Sequence, residues 1–201
     1  PAQHVDYISM VVAIDFSTPE ADFEDISNCF THQVPVISGT TGWLDQYSQA
    51  VRICEENKSA FIYASNFSLG VNLFFELNKK LAQMMATVDQ YKVSMEEIHH
   101  TQKLDAPSGT AITLAEGIIE NSSYENWKLD ESGDKTIPIK SIREGMVPGT
   151  HTIFYKSAVD TIEIKHEAHN REGFALGAVI AAEWIQGKAG VFTMKDVLNL
   201  S

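Results

Sequence analysis

The chain has 201 residues, and its 44% hydrophobic content is enough to bury the core of one large domain or of two small ones. Its 27 acidic side chains outnumber 15 basic ones, and the formal charge of -12 excludes a general attraction to nucleic acid or to an anionic membrane surface. Because no apolar run approaches the roughly 18 residues of a membrane span and no secretory signal pattern is visible, we expect a cytoplasmic protein.

The first third of the chain alternates between apolar runs and helical patterns. Strands are predicted at 10–16, 34–38 and 59–65, with helices beginning at 17–18 and near Leu44. The first run is continuously apolar, which is typical of a parallel strand covered on both faces. This order predicts a parallel α/β sheet whose ligands bind beyond the carboxyl ends of the strands.

The pattern changes after Phe67. We predict a helix at 69–88, a strand at 91–100, a helix at 108–120 and a polar loop at 120–135. The two strands of an antiparallel hairpin follow at 151–157 and 160–166. An Ala-rich helix is predicted at 173–188, and a last element at 191–200 could pack back on the first sheet. An α+β unit therefore follows the α/β unit.

The two cysteines, Cys29 and Cys54, lie in predicted helices without CxxC or CxxH spacing. Buried, reduced thiols are therefore favoured over a disulfide or a metal site. We expect no bound metal.

Two histidines and a lysine lie close together in the stretch EEIHHTQKLDAPSGTA, at the end of a predicted strand. His99 and Lys103 are four residues apart, and an imidazole beside a protonated amine can donate a proton to a substrate atom that gains negative charge. A pair of histidines by itself is more often structural than catalytic. The interpretation therefore depends on the residues that follow.

The DAPSGTA segment that follows is typical of an anion site at the start of a helix. Ser108 is a good N-cap, Gly109 permits the close approach of a ligand, and the amides of Gly109 and Thr110 are expected to donate to that ligand. An ordinary helix cap would explain the same three residues. Beside His99 and Lys103, however, they favour a carboxylate or phosphate site.

Two further segments follow strands of the α/β unit, GTTG at 39–42 and SNFSLG at 65–70. Either could be only a tight connection or a capped turn, since a lone Gly-rich loop is weak evidence of a ligand site. Their position at strand ends makes them ligand candidates. Phe67 is expected to offer a flat apolar surface to a ring.

Taken together, these segments resemble the dihydrodipicolinate reductase (4-hydroxy-tetrahydrodipicolinate reductase) family, nicotinamide-dependent enzymes of bacterial diaminopimelate and lysine synthesis. The resemblance rests on EEIHHTQKLDAPSGTA, AIDFSTPE, ISGTTGW, ASNFSLGVN and EIKHEAHNREGFALGAV, which occur in the family's order over essentially the whole chain. It implies a partial Rossmann-type dinucleotide-binding domain with a parallel sheet at 1–67 and 172–201. It also implies an α+β domain with a mixed sheet at 68–171 for substrate binding and oligomerisation.

The resemblance also implies roles for individual residues. His99 would be the catalytic acid/base residue and Lys103 the proton donor. The substrate's carboxylates would be bound by His100, Ser108, Gly109 and Thr110. The cofactor, NADH or NADPH, would be lined by Asp15, Phe16, Gly39, Thr40, Thr41, Ala64, Ser65, Asn66 and Phe67.

The implied reaction reduces 4-hydroxy-tetrahydrodipicolinate to tetrahydrodipicolinate. Hydride transfer leaves charge on the substrate ring, which a proton from Lys103 or His99 would quench. A protein of charge -12 can hold this dicarboxylate only where local cations and helix-terminal amides outweigh the global field, and 99–110 supplies both.

One departure from the family pattern concerns the start of the chain. The family's first strand, its glycine-rich G-x-G-x-x-G turn and the helix after it do not occur in this sequence. We therefore expect a substantial N-terminal segment before Pro1, and the choice between NADH and NADPH stays open. Two alternatives also stay open: a related dehydrogenase acting on another imino or amino acid, and a truncated assembly module without catalytic activity.

The predicted hairpin suggests an oligomer. Ile153, Tyr155, Ile162 and Ile164 are too apolar for free solvent unless the faces of the hairpin are covered. In the family the equivalent sheet packs between the subunits of a tetramer. We therefore expect a homotetramer.

Overall fold

The computed structural model describes residues 11–200, so the predicted strand residue at position 10 lies outside the described residues. The chain divides into two compact units. One unit comprises the chain up to Leu69 together with Phe174 and the residues after it, and the other comprises Gly70–Gly173.

The helices and strands alternate in the first unit and form a longer succession of strands in the second. In chain order they are β1 (Ala13–Asp15), α1 (Pro19–Thr31), β2 (Val36–Ser38), α2 (Tyr47–Glu56, preceded by a 3-10 turn at Leu44–Gln46), β3 (Ala60–Tyr63), α3 (Leu69–Met85), β4 (Lys92–His99), α4 (Gly109–Ile119), β5 (Asn126–Leu129), β6 (Thr136–Arg143), β7 (Gly149–Lys156), β8 (Thr161–Ala168), α5 (Glu172–Ile185), β9 (Gly190–Phe192) and α6 (Met194–Leu198).

The first unit contains a four-stranded sheet in the order β1-β2-β3-β9, with every pair parallel. This confirms the predicted parallel α/β sheet, and β9 confirms that the last segment packs back on it. The expectation that the first strand is covered on both faces is wrong for the described residues, because Ile14 is 46% exposed. A continuous apolar run does not reveal which of its residues are covered.

The sheet of the first unit has apolar clusters that involve α1 and α5. Ile26 and Phe30 of α1 belong to one cluster with Phe61, and Ala181 of α5 belongs to another with Ile62. Burial of such apolar surface stabilises the unit by roughly 25 cal/mol per Å² removed from water. The helices therefore pack on the faces of the sheet, and loops follow the carboxyl ends of its strands.

Both cysteines are free and buried, which confirms the prediction made from their spacing. Burial raises the pKa of the Cys29 thiol and of the Cys54 thiol to about 11. Neither thiol is therefore ionised near neutral pH, and both behave as small apolar side chains.

The second unit contains a mixed five-stranded sheet in the order β5-β6-β4-β7-β8. The β7 and β8 strands are antiparallel, which confirms the predicted hairpin, and β4 is parallel to β6. No pattern in the sequence predicts β6, and the prediction of a polar loop at 120–135 is wrong because β5 lies within it. In β5 only Trp127 is partly buried, so its alternation is too weak to mark a strand.

The core of the second unit lies where α3 and α4 meet one face of this sheet. Alternation along β4 buries Val93, Met95, Glu97 and His99, so two polar side chains share a face with the apolar core. The hairpin residues Ile153 and Tyr155 belong to the same core, at 0% and 4% exposure. Helices of their own unit therefore cover these two residues, and Ile164 packs against the same core, whereas Ile162 is 37% exposed.

Among residues 11–200, no helix combines the length and the apolar character that crossing a bilayer demands.

Candidate active site

The candidate site of the second unit lies at the carboxyl end of β4, where His99 is the last residue of the strand. The neighbouring strand β6 ends at the same level, because His99 pairs with Arg143 in the ladder. Gly149 leaves room for the imidazole, since a Cβ there would lie 3.1 Å from Nε2 of His99. His99 is 8% exposed, so its ring is enclosed at the end of the central strand of the sheet.

Glu97 lies two residues before His99 on the same buried face and is 0% exposed. The backbone N–H of Ser108 donates to both carboxylate oxygens, at 3.1 Å each. Oε1 also accepts from Ser141 Oγ at 2.8 Å and from Arg143 Nη2 at 3.1 Å. The carboxylate therefore joins β4 to the start of α4 and to the end of β6.

Two imidazoles lie beside this carboxylate. Nδ1 of His99 is 3.3 Å from Oε2 of Glu97, although its direction does not meet the geometry of a hydrogen bond. Nε2 of His151 is 3.1 Å from Ser108 Oγ and 3.7 Å from the same Oε2. The rings of His99 and His151 are edge-on, with centroids 5.1 Å apart.

The pKa shifts show how these groups share charge. Burial favours the neutral form of Glu97, but its contacts with His99 and Ser108 and the hydrogen bond from Ser141 hold its pKa well below the usual range. Burial, followed by the nearby charge of His99, lowers the pKa of His151 to about 3. Near neutral pH the cluster therefore contains an ionised carboxylate and a neutral His151.

Lys103 is ion-paired with Asp105 in the loop after β4. Its ammonium donates to both Asp105 oxygens, at 2.7 and 2.9 Å, and its backbone N–H bonds to the carbonyl of His100 at 3.1 Å. Burial acts against ionisation of Asp105, but the Lys103 hydrogen bond lowers the pKa of this carboxyl overall. Arg143 Nη2 donates to the Asp105 carbonyl at 2.6 Å and so anchors the same loop.

The start of α4 has the geometry predicted from the DAPSGTA segment. Ser108 is the N-cap, and its Oγ accepts from the amide of Ala111 at 3.2 Å. A Cβ at Gly109 would meet nothing within 4 Å, so open space lies beside the first helical residue. A carboxylate could therefore approach the amide end of the helix, where the dipole favours negative charge.

His100 and Arg171 form a second polar contact near the loop. Nε2 of His100 lies 3.3 Å from Nη2 of Arg171, and both side chains reach solvent. Because a guanidinium only donates, this contact requires an imidazole nitrogen that carries no proton. His100, Lys103, Ser108, Gly109 and Thr110 are thus close to His99 in the chain and lie in the same unit.

The candidate cofactor residues of the first unit lie at the carboxyl ends of β1, β2 and β3. The Gly39 amide donates to the Asp15 carbonyl at 2.9 Å, and Thr40 Oγ1 donates to the Asp15 carboxylate at 3.2 Å. The Ala64 amide bonds to the Ser38 carbonyl at 3.1 Å. Thr41, Ser65 and Asn66 follow directly in the same loops.

The aromatic residues at these strand ends differ from the expectation. Phe67 is only 2% exposed and packs in the core, so the expectation that its ring offers a flat surface is wrong for this unit. Its backbone also meets α5, since a Cβ at Gly177 would lie 1.8 Å from the Phe67 carbonyl oxygen. Phe16 is 57% exposed, and a Cβ at Gly39 would lie 2.1 Å from its ring.

A group of possible metal ligands occurs among the described residues, although no metal was expected. Glu97, His99 and His151 each offer one donor atom, and these atoms lie within 4.8 Å of one another. Arg143 already neutralises the carboxylate, and Ser141 occupies the same oxygen. The cluster is therefore better described as a hydrogen-bonded ion pair with two imidazoles than as a metal centre.

Sequence reasoning missed Glu97, Ser141, Arg143 and His151. Glu97 could have been found, because it falls at a core position of an alternating strand, and a buried carboxylate implies a special partner. Arg143 and Ser141 belong to β6, which was not predicted. His151 opened a predicted hairpin strand without any pattern that marked it as part of a site.

These features define a class of protein. A helix-flanked parallel sheet with candidate ligand loops at its strand ends, followed by a mixed-sheet unit that holds a buried acid-base cluster, is typical of a Rossmann-type oxidoreductase. The family model described as dihydrodipicolinate reductase, N-terminus, matches residues 2–67, and the one described as dihydrodipicolinate reductase, C-terminus, matches 70–198. The chain belongs to the dihydrodipicolinate reductase family, which confirms the resemblance.

Individual relatives agree with this assignment. The chain is 62% identical over 189 residues to a 4-hydroxy-tetrahydrodipicolinate reductase of Christiangramia forsetii, covering 94% of this chain and 79% of the relative. It is 36% identical to the enzyme of that name in Buchnera aphidicola, covering 94% and 72%. Among solved structures, the dipicolinate-bound dihydrodipicolinate reductase of Paenisporosarcina sp. TG-14 superposes with a TM-score of 0.73 at 28% identity, covering 95% and 74%.

Proposed function

We propose that this protein reduces 4-hydroxy-tetrahydrodipicolinate to tetrahydrodipicolinate, with loss of water and with a hydride from NADH or NADPH. Membership of the family supports this function, and so do relatives that bear the enzyme's name. The observation on this chain that supports it best is the cluster at the end of β4. There an imidazole, an ammonium and the amide end of a helix occur within one short segment.

The second unit is proposed to bind the substrate. The amides of Gly109 and Thr110 and the hydroxyl of Ser108 would hold one carboxylate at the start of α4, and His100 would contribute to the same anion site. Lys103 adds the positive charge that a dicarboxylate needs in a protein of charge -12. Asp105 forms an ion pair with that ammonium, so a carboxylate of the substrate would compete with Asp105 for Lys103.

The same unit is proposed to supply the proton. Once the substrate has lost its hydroxyl as water, a bound reduced nicotinamide would supply the hydride to the resulting conjugated imine. Lys103 and His99 would then deliver a proton to the substrate atom that gains negative charge, and His99 would act as the acid/base residue. Holding the substrate's carboxylates orients the imine for both transfers.

The first unit is proposed to hold the nicotinamide end of the cofactor. The exposed Phe16 ring fits a flat heterocycle, and the side-chain-free Gly39 with the exposed Thr41 offers backbone and hydroxyl groups beside it. Asp15, Thr40, Ala64, Ser65 and Asn66 would complete this lining, whereas the buried Phe67 would support it from the core. The choice between the two cofactors is not part of the proposal.

A kinetic comparison tests the proposed roles. We expect His99→Ala and Lys103→Ala each to lower kcat by about 10²- to 10⁴-fold in the full-length protein, with a much smaller change in KM. Lys140→Gln, which removes an exposed ammonium paired with Glu96, is the control and should leave both constants unchanged. Wild-type turnover in either variant would remove that residue from the mechanism.

Two further features are proposed from family membership and the thiols. The protein is expected to be a homotetramer, which light scattering at micromolar concentration tests, and a stable monomer would contradict this. The two free, buried cysteines fit a reducing compartment, so a cytoplasmic location is also proposed. Fractionation of cells that produce the protein tests the location.

A further inference from the structure

None of the proposed roles involves Glu97, although its carboxylate is the most completely buried ionised group of the site. A carboxylate at 0% exposure is costly unless its oxygens are occupied. Here Oε1 accepts from Arg143 and Ser141, and both oxygens accept from the Ser108 amide. These contacts come from two separate elements, β6 and the start of α4, which together fix the position of the carboxylate.

The contacts of Glu97 lead to both halves of the proposed chemistry. On one side, Oε2 lies 3.3 Å from Nδ1 of His99, a charge contact without hydrogen-bond geometry. On the other side, the carboxylate holds the amide of Ser108, whose Oγ contacts His151 and whose position fixes the first turn of α4. A single side chain thus touches the candidate acid/base residue and the cap of the candidate carboxylate site.

Arg143 extends this connection to the loop that carries Lys103. The guanidinium donates to Glu97 and, through the same Nη2, to the carbonyl of Asp105 at 2.6 Å. Asp105 in turn pairs with Lys103. The Glu97–Arg143 pair therefore ties β4, β6 and the 100–108 loop into one rigid arrangement.

We propose that Glu97 is a positioning residue that orients His99 for proton transfer and holds the start of α4 in its ligand-binding geometry, with Arg143 as its neutralising partner. The proposal rests on the proposed function. A negative carboxylate beside one nitrogen of an imidazole favours a proton on that nitrogen and stabilises the charged ring, as in acid-base dyads generally. The other nitrogen, Nε2, is then left to exchange a proton with substrate.

The strand offers a matched pair of variants. Glu97→Gln removes the charge while keeping the shape, whereas Glu96→Gln makes the same change on the opposite face of β4, where the carboxylate pairs with Lys140. We expect Glu97→Gln to lower kcat by about 10²-fold or more and to change the pH–rate profile. Glu96→Gln should leave kcat and the profile as in wild type.

A double variant guards against loss of folding. Glu97→Gln leaves Arg143 partly buried without its partner, so Glu97→Gln/Arg143→Met removes both charges together. Both variants should be compared with wild type by circular dichroism before kinetics. A folded protein of either kind with wild-type kcat and an unshifted pH profile would overturn the proposal.

An NMR readout separates this proposal from the proposed function. In ¹⁵N-histidine-labelled full-length protein, we expect Nδ1 of His99 to carry a proton in wild type and to lose that preference in Glu97→Gln, whether or not the protein reduces the dicarboxylate. An unprotonated Nδ1 in wild type, or an unchanged His99 spectrum in the variant, would overturn the positioning role. An inactive wild type with the expected spectra would instead count against the proposed function alone.

Discussion

Two fully buried carboxyl groups, one in each unit, have pKa values that are shifted in opposite directions. Asp22 of the first unit and Glu97 of the second are both 0% exposed, yet the pKa of Asp22 is raised and that of Glu97 is lowered. Burial pushes both groups toward the neutral form, so it cannot explain the difference. The partners of each carboxyl must decide it.

Asp22 has hydroxyl partners and a second acid nearby. Ser38 Oγ donates to it at 3.0 Å, but Asp15 lies close enough to oppose its charge. Burial, with the charge of Asp15, raises the pKa of Asp22 to about 6, although the hydroxyls of Thr40 and Ser38 act in the other direction. Hydroxyl donors alone do not compensate for lost solvation here.

Glu97 has a cation, a backbone amide and a hydroxyl instead. Arg143 and the Ser108 amide supply positive charge or a fixed dipole, and they are held by the ends of β6 and α4. A buried acid therefore stays ionised where donors from more than one element of the fold bind its oxygens. That is the condition under which a carboxylate can orient an imidazole.

The largest expected effect comes from removing the cation. Arg143→Met leaves Glu97 charged and buried without its partner, which costs about 3–5 kcal/mol in the free energy of unfolding. Native-state hydrogen exchange of the β4 amides at neutral pH measures the loss in the second unit. Lys140→Gln, at an exposed pair, should cost less than about 1 kcal/mol. Equal losses of unfolding free energy in the two variants would show that the buried Glu97–Arg143 pair matters no more to stability than an exposed pair.

Acid should destabilise the second unit with a definite origin. The pKa of His151 is about 3 in the folded protein and 6.5 when unperturbed, so the unfolded chain binds more protons in that window. Stability is therefore complete above about pH 6.5 and falls as pH drops, by up to about 1.4 kcal/mol per pH unit. The lowered pKa of Glu97 adds to the loss below its usual value of 4.5.

His151→Gln sharpens this prediction. The variant keeps an amide that can bond to Ser108 but cannot be protonated, so the slope of stability between pH 6.5 and 4.5 should become shallower. Some slope should remain, because burial also lowers the pKa of His166. The matched control is His169→Gln, at an exposed position of the same unit, which should keep the wild-type slope. Hydrogen exchange of the β4 amides at several pH values gives both slopes. A steep slope in His151→Gln would show that another group titrates.

A smaller effect of opposite sign is expected in the first unit. Because the folded pKa of Asp22 is raised from 3.8 to about 6, its contribution to stability is present below pH 3.8 and is lost as pH rises through 6. Asp22→Asn should therefore change little at pH 4 and stabilise by up to about 3 kcal/mol at pH 8. Hydrogen exchange of the β2 amides is the measurement, with the exposed Asp45→Asn as control. Destabilisation at pH 8 would contradict the assignment.

The sequence predicts the two units in different degrees. Strands and helices alternate regularly in the first unit, so its parallel sheet and strand-end loops could be predicted. In the second unit, alternation along β4 and the DAPSGTA turn predict a strand that ends beside a helix cap. The weak patterns of β5 and β6 concealed two of the five strands of the mixed sheet.

What the sequence could not predict is the pairing that makes the cluster. Arg143 reaches Glu97 across 46 residues, and His151 reaches Ser108 across 43. Nothing local marks such partners, because strand order and register decide which side chains meet. The charge state of Glu97 depends on those pairings and could not be read from its neighbours in the chain.

One measurement tests the central claim, that a buried and ionised Glu97 organises the acid-base site, more directly than any other. Carboxyl ¹³C shifts of labelled Glu and Asp, with resonances assigned through Glu97→Gln and Asp22→Asn, can be followed as pH is lowered from 8 to 4. The account predicts that the Glu97 resonance stays at the ionised position throughout, while that of Asp22 titrates near pH 6. A Glu97 resonance that titrates within this range would contradict it.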